Sequence, residues 1–211
     1  MSFQSKTKYM KLIIISKESF FTEETGWINK MMLEFEFILH IRKPFASELE
    51  TENLLKQIDQ SFYHRIVLHD HYHLAEKYGL KGIHLNARNP DFIIDSEYWK
   101  NCSISRSCHS IQEVEKCKNR FDYVTLSPIF DSISKQGYKA AFSEYDLKSA
   151  SEKGIIDNRV IALGGINSTN ITRLSNMGFG GAAVLGTLWN HTDIASLLKE
   201  LRYLVKISKT N

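Results

Sequence analysis

Three prolines and three cysteines in 211 residues leave little to punctuate or staple this chain. With so few prolines and no low-complexity stretch, no linker is visible, and the length suits one well-buried domain or two small ones. Cys102, Cys108 and Cys117 form neither an even set nor a CxxC pair, so they read as free thiols of a reducing cytoplasm rather than a disulfide framework. No apolar run reaches the roughly 18 residues that suggest a membrane span. The N-terminal "MSFQSKTKYMK" lacks the apolar core of a signal peptide. A start at Met10 would leave residues 1–9 as a disordered lead and residues 10–211 as the folded unit. Charge of one sign is also scarce: the net +3 is spread without a cationic block, which disfavours nucleic acid as a partner.

What the chain does have is a series of short apolar runs. "KLIIIS" (11–16), "FILHI" (37–41), "RIVLH" (65–69), "GIHL" (82–85), "SISRS" (103–107), "DYVTL" (122–126), "RVIAL" (159–163) and "GAAVL" (181–185) are all of strand length. Their richness in Ile, Val and Leu is that of buried parallel strands. Helical spacing of apolar residues marks "SELETENLLKQIDQSFY", "HSIQEVEKCKN", "STNITRLSNMG" and "DIASLLKELRYLVKI" between or after them. The segment after "GIHL" is irregular, with room for a short helix. Strands alternating with helices in this number predict an α/β protein, a single-domain (β/α)8 TIM barrel, with a doubly wound open sheet as the competing architecture. In a barrel, chemistry gathers at the carboxyl ends of the strands. That singles out His40, Arg42, His69, Asp70, His109, Ser127 to Lys135, Gly164, Gly165 and Gly186.

"ALGGINSTNI" (162–171) places Gly164 and Gly165 at a strand end, with Asn167 or Ser168 as the N-cap of a following helix; "AVLGTL" offers Gly186 in the next turn. Glycines let backbone N–H groups approach an anion, and turns after strands seven and eight are a common phosphate site in barrels. The alternative is a tight glycine turn with no ligand. "LSPIFDSISKQG" (126–137) supplies the Ser127, Ser132 and Ser134 hydroxyls and the Lys135 cation in a loop suited to an anionic group. His109 in "SRSCHSIQE" titrates near neutrality and can move protons, or it can belong to a helix N-cap region without catalytic work. "LHDHYH" raises a metal question. Asp70 suits Mg2+, whereas His69 and His71 suit zinc or iron; such a site needs a third ligand, for which His40 and His109 are the candidates. His73 begins a helix instead.

In order and spacing, "ILHIRKP", "HDHYHLAEKYGLKGIHLN", "SRSCHSIQEV", "DYVTLSPIFDSISKQG", "IALGGINSTNI" and "GFGGAAVLGT" resemble the thiamin phosphate synthase and TenI family from Leu12 onward. The resemblance implies a (β/α)8 barrel that binds hydroxyethylthiazole phosphate, with Gly165, Leu185 and Gly186 as phosphate contacts. Synthases of the family join that thiazole to hydroxymethylpyrimidine diphosphate with Mg2+. TenI-like members are metal-free tautomerases that aromatise thiazole phosphate carboxylate, using a histidine in an S-x-H-S context that His109 matches. Against the synthase motifs, Arg42 and Asp70 are kept. His40 and Pro44 stand for the glutamine and lysine of Gln-x-Arg-x-Lys, His69 for the asparagine of Asn-Asp, and Arg88 or Asn89 for the second metal carboxylate. An arginine there repels a cation.

The leading expectation is therefore a cytoplasmic tautomerase of thiamin biosynthesis without cofactor. His109 and Lys135 are its catalytic residues, and Arg42, Asp70, Ser132, Ser134, Gly164, Gly165, Leu185 and Gly186 bind substrate. The first alternative is a divergent synthase in which Asp70 holds Mg2+ and hydroxymethylpyrimidine diphosphate is the second substrate. Further alternatives are a silent thiazole-phosphate binder and a His-x-His metallohydrolase. A homo-oligomer is compatible with any of these.

Overall fold

The alternation of buried apolar residues with inward polar ones explains how the short runs close on themselves. The computed structural model describes residues 9–89, 97–131 and 139–210, without the side chain of Tyr98. Eight parallel strands pair in chain order and β8 returns to β1, giving a closed barrel. They are β1 (Lys11–Ile15), β2 (Ile38–Ile41), β3 (Ile66–Leu68), β4 (Gly82–Leu85), β5 (Ser103–Cys108), β6 (Tyr123–Leu126), β7 (Val160–Leu163) and β8 (Gly181–Val184). Each expected strand exists, and the open sheet is excluded by the β1–β8 ladder.

Around the barrel run α1 (Glu24–Glu34), α2 (Glu48–Gln57), α3 (His73–Tyr78), α4 (Ile111–Cys117), α5 (Glu144–Glu152), α6 (Arg173–Asn176), α7 (Gly186–Trp189) and α8 (Ile194–Thr210). Capping boxes start two of them: Ser47 with Glu50 at α2, and Ser143 with Asp146 at α5. In α8, Leu197, Leu198, Leu201, Leu204 and Val205 bury one stripe, as its spacing predicts. The helical pattern of α1 is obscured in the sequence by Gly26 and by Leu33, which is apolar yet exposed; Ile28, Met31 and Met32 form its buried face. After β4 the described chain holds only a 3-10 turn, Glu97–Asn101.

Period-two alternation divides the strands into two faces. Leu39, Ile41, Ile66, Leu68, Ile83, Leu85, Val124 and Leu126 join the large core between strands and helices. The opposite positions point inward. On β7, β8 and β1 these are apolar: Ile161, Ala183, Ile13 and Ile15, packed with Tyr123. From β2 to β6 the inward positions carry, besides Ile38 and Val67, the polar His40, His84, Ser105, Ser107 and Thr125, with His69 just beyond β3. Strand register sets His84 beside Ser105, Ser105 beside Tyr123, and Ser107 beside Thr125. The barrel interior thus has an apolar half and a polar half.

Candidate functional site

A cavity of about 360 Å³ opens at the carboxyl ends of the strands, a volume suited to a small ligand. Its floor is the polar half of the barrel. His40 Nδ1 lies 2.9 Å from His69 Nε2, and His40 Nε2 lies 2.7 Å from the Tyr123 hydroxyl. His84 Nδ1 and Nε2 lie 2.8 Å from the hydroxyls of Ser105 and Ser107 respectively. All three histidines are buried. Burial holds His40 and His69 well below the usual imidazole range, the neighbouring rings and, for His69, the Arg42 and Arg88 charges adding to it. His84 is pushed down to about 3 by burial and then by Arg42 and Arg88. The floor is therefore a set of neutral imidazoles at physiological pH. Thr125 adds a buried hydroxyl without a hydrogen-bond partner among the described residues.

His84, Ser107, Tyr123 and Thr125 were not legible as site residues by looking beyond strand ends, because they lie within strands. Their signal is inward alternation. The His-x-His reading of His69 with His71 fails for the same geometric reason. The chain turns out of the sheet after His69, His71 takes a left-handed backbone (φ 52°), and its Nε2 bonds Ala46 O at 2.9 Å. His73 begins α3 and faces Glu48 at the surface.

The rim is built from paired charges. Arg42 pairs with Glu18, and Ser16 accepts a 2.9 Å hydrogen bond from the Arg42 N–H, tying the ends of β1 and β2 together. Lys43, beside the position where Pro44 stands for a family lysine, points away from the cavity. It donates to both Glu24 oxygens at 2.6 and 2.8 Å and to Ser19 O at 3.1 Å. Asp70 is clamped by Arg88 through two bonds of 3.1 and 2.9 Å, and Asn89 adds a third at 3.2 Å. Both carboxylate oxygens are committed to donors, and the clamp brings an arginine where Mg2+ would need another hard oxygen. Among the described residues, Asp70 and its neighbours do not fit a Mg2+ site.

The glycine turns lie on the same rim. Gly164 and Gly165 have φ of 100° and 64°, and a Cβ on Gly165 would lie 2.3 Å from Asp131 O. These glycines let the β6 loop pack close, with Phe130 N–H donating to Gly164 O at 3.1 Å. Asn167 accepts from the backbone N–H groups of Thr169 and Asn170, capping a run of turns rather than the expected helix start. Only four residues of α6 follow, and α7 from Gly186 is as short, so their dipoles are small. What these turns offer an anion is local N–H groups. Gly164, Gly165, Leu185, Gly186, Arg42 and His109 all line the one cavity; Asp70 reaches it through Arg88. His109 is exposed there, its Nδ1 3.4 Å from Ser127 Oγ and its backbone N–H bound to Glu113 at 2.6 Å. Ser132, Ser134 and Lys135 lie outside the described residues.

Fold and cavity together define a (β/α)8 barrel with a cavity of small-molecule size at its carboxyl end. Residues 12–188 match the family model described as thiamine monophosphate synthase. The chain belongs to that family. It is similar to a thiamine phosphate pyrophosphorylase of Bacteroides thetaiotaomicron, with 38% identity, a TM-score of 0.84, and coverage of 94% of this chain and 98% of that one. A thiamine-phosphate synthase of Listeria monocytogenes serotype 4b is 28% identical over 165 residues, covering 76% of this chain and 73% of the relative. A Pyrococcus furiosus thiamine phosphate pyrophosphorylase shares the fold at 20% identity and a TM-score of 0.75, covering 96% and 98%. No helix among the described residues is long and apolar enough to cross a membrane.

Proposed function

We propose that this chain is a divergent thiamine-phosphate synthase that joins hydroxyethylthiazole phosphate to hydroxymethylpyrimidine diphosphate. The observation that carries this reading is the 38% identity, across 94% of the chain, to a relative named for that activity. It reverses the preference for a tautomerase drawn from the altered motifs alone. The new bond runs from the thiazole nitrogen to the pyrimidine methylene carbon, and the bond from that carbon to the diphosphate oxygen breaks. In this reading the backbone at Gly165, Leu185 and Gly186 holds the thiazole phosphate above the apolar half of the barrel. The neutral histidine floor receives the pyrimidine, whose ring nitrogens and amine are hydrogen-bonding groups without charge. Arg42 and Arg88 face the departing diphosphate, and Lys135, Ser132 and Ser134, outside the described residues, are the sequence's further candidates for binding it. Because the Asp70 region does not fit Mg2+, fixed guanidinium charge rather than a metal is assigned the stabilisation of that leaving group. The chain works in the cytoplasm on small molecules.

A second reading, thiazole tautomerase, is favoured by one feature: His109 stands on the cavity rim while the Asp70 carboxylate is occupied by Arg88. The test gives purified protein both synthase substrates, with and without Mg2+, and in a separate arm thiazole phosphate carboxylate alone. Thiamin phosphate formed at a competent rate supports the proposal. Aromatisation without coupling, abolished in His109→Gln, overturns it in favour of the tautomerase. Binding of thiazole phosphate with neither reaction leaves a silent binder.

A further inference from the structure

The histidine floor has a property that neither reading uses. His40, His69 and His84 each offer one ring nitrogen, and those three atoms lie within 4.8 Å of one another. They come from three adjacent strands, His40 within β2, His84 within β4 and His69 just past the end of β3, so the sheet itself holds them together. We propose that His40, His69 and His84 form a binding site for one borderline divalent transition ion, of the class of Zn2+, Co2+ or Fe2+, at the bottom of the cavity. Of the ligands weighed from the sequence the site keeps His69 and His40, drops His71 and His109, and adds His84 from β4.

Two of the three rings, His40 and His84, carry the outer hydrogen-bond partners that metal ligands have. The Ser105 hydroxyl donates to Ile83 O at 3.2 Å, so toward His84 it acts as acceptor. This pattern assigns the His84 proton to Nδ1 and leaves the Nε2 lone pair facing the cavity side, covered by the Ser107 hydroxyl. His40 has Tyr123 behind its Nε2, so its Nδ1 is the nitrogen that meets His69. A proton now lies between those two rings. An entering ion takes its place, the proton moves to the other nitrogen of its own ring, and all three ligands stay neutral. The Arg42 and Arg88 charges that help hold His69 and His84 neutral also work against a cation at the floor, each offset in part by its carboxylate partner, Glu18 and Asp70, so ligation by three neutral imidazoles has to outweigh them.

Three imidazoles leave at least one coordination position open, and the cavity lies over it. The partnerless Thr125 hydroxyl lines the same cavity and can accept or donate to a ligand in that position. Nitrogen ligands favour zinc, cobalt or iron over Mg2+. Loading requires movement. Tetrahedral sites hold nitrogens about 3.4 Å apart, from metal–nitrogen bonds of about 2.0–2.1 Å. The His69 and His84 rings are stacked at 4.4 Å with 29° between planes, so one of them must turn about its Cβ–Cγ bond.

The test uses untagged, chelator-stripped protein titrated with Co2+ and Zn2+, read by visible absorption and calorimetry. The expected result is one ion per chain, with the intense d–d bands of four- or five-coordinate cobalt. His84→Gln and His69→Asn should each weaken binding by on the order of a hundred-fold or more. His73→Ala at the surface, and His71→Ala, whose half-buried ring is turned to Ala46 O and away from the cluster, should leave it unchanged. If the core variants fail to fold, the wild-type titration still decides. No stoichiometric uptake, or a weak six-coordinate cobalt spectrum, overturns the site. So does binding that survives His84→Gln in a folded protein or disappears in His71→Ala. Neither result depends on which thiazole reaction the chain performs.

Discussion

Replacing Lys43 by methionine should cost more stability than its distance from the cavity suggests. Its ammonium and the Glu24 carboxylate are 1% and 2% exposed, so the variant strands a buried carboxylate. Removing one partner of a buried pair costs about 3–5 kcal/mol. For a chain of this size that lowers the melting temperature by roughly 6–20 °C. Burial already pushes the Glu24 carboxyl above its ordinary range, and its bond to Lys43 opposes that push. Without Lys43 the folded-state pKa rises further, the folded state binds more protons than the unfolded one, and stability falls as pH rises through that value. The deficit of the variant against wild type should therefore narrow from about pH 8 to about pH 5, where the carboxyl can take a proton. In Lys43→Met/Glu24→Leu neither charge is buried; what is lost besides the pair is the bond to Ser19 O and the contact of the ammonium with the Phe20 ring, at about 1 kcal/mol each. Urea unfolding of the wild type, both single variants and the double variant measures each quantity. A single variant within about 1 kcal/mol of wild type, or a double variant losing the sum of the singles, would refute this reasoning.

Three further outcomes test the site. Gly165→Ala should lose about 2 kcal/mol or more, through its positive φ and the approach of Asp131 O, and should weaken thiazole phosphate binding; a variant as stable as wild type by thermal melt contradicts the close loop packing. Arg88→Asp frees Asp70 and adds a second carboxylate, so calorimetry should detect Mg2+ binding that the wild type lacks; equal binding by both proteins removes the argument from the clamp. The metal-free chain should lose stability on acidification from about pH 7 to about pH 5, because unfolded histidines gain protons that the buried ones refuse. His84, pushed down to about 3, contributes about 2 kcal/mol of that loss. Its share should vanish in His84→Gln, and an unchanged pH profile there rules the explanation out.

The barrel was legible because its evidence is repetitive: eight apolar runs, each a turn or helix apart, leave few ways to close a buried parallel sheet. Helices were read well where a long stripe is buried, as in α8, and poorly where local turn chemistry dominates, as around Asn167. Asp70 shows a different limit. Its residue type suggests a metal, but its clamp comes from Arg88, 18 positions away, and only the meeting of two loops decides between ligand and ion pair. The resemblance could flag the substitution without showing that the two residues bond.

The histidines carry the clearest lesson. Reading only beyond strand ends picks out His69 and passes over His84, whereas reading alternate residues within "FILHI", "RIVLH", "GIHL", "SISRS" and "DYVTL" takes in the entire polar floor. That alternation is also a physical demand. A barrel interior filled with Ile and Leu on every strand would be closed, whereas imidazoles and hydroxyls bonded to one another stay buried while offering lone pairs upward. The polar half lies under β2 to β6, and the glycine turns crown β7 and β8 beside the apolar half. A ligand held by phosphate at those turns must extend across apolar walls before its far end meets nitrogen. Under the proposed phosphate contacts, the floor is therefore the part of the cavity that decides what the far end of the ligand can be.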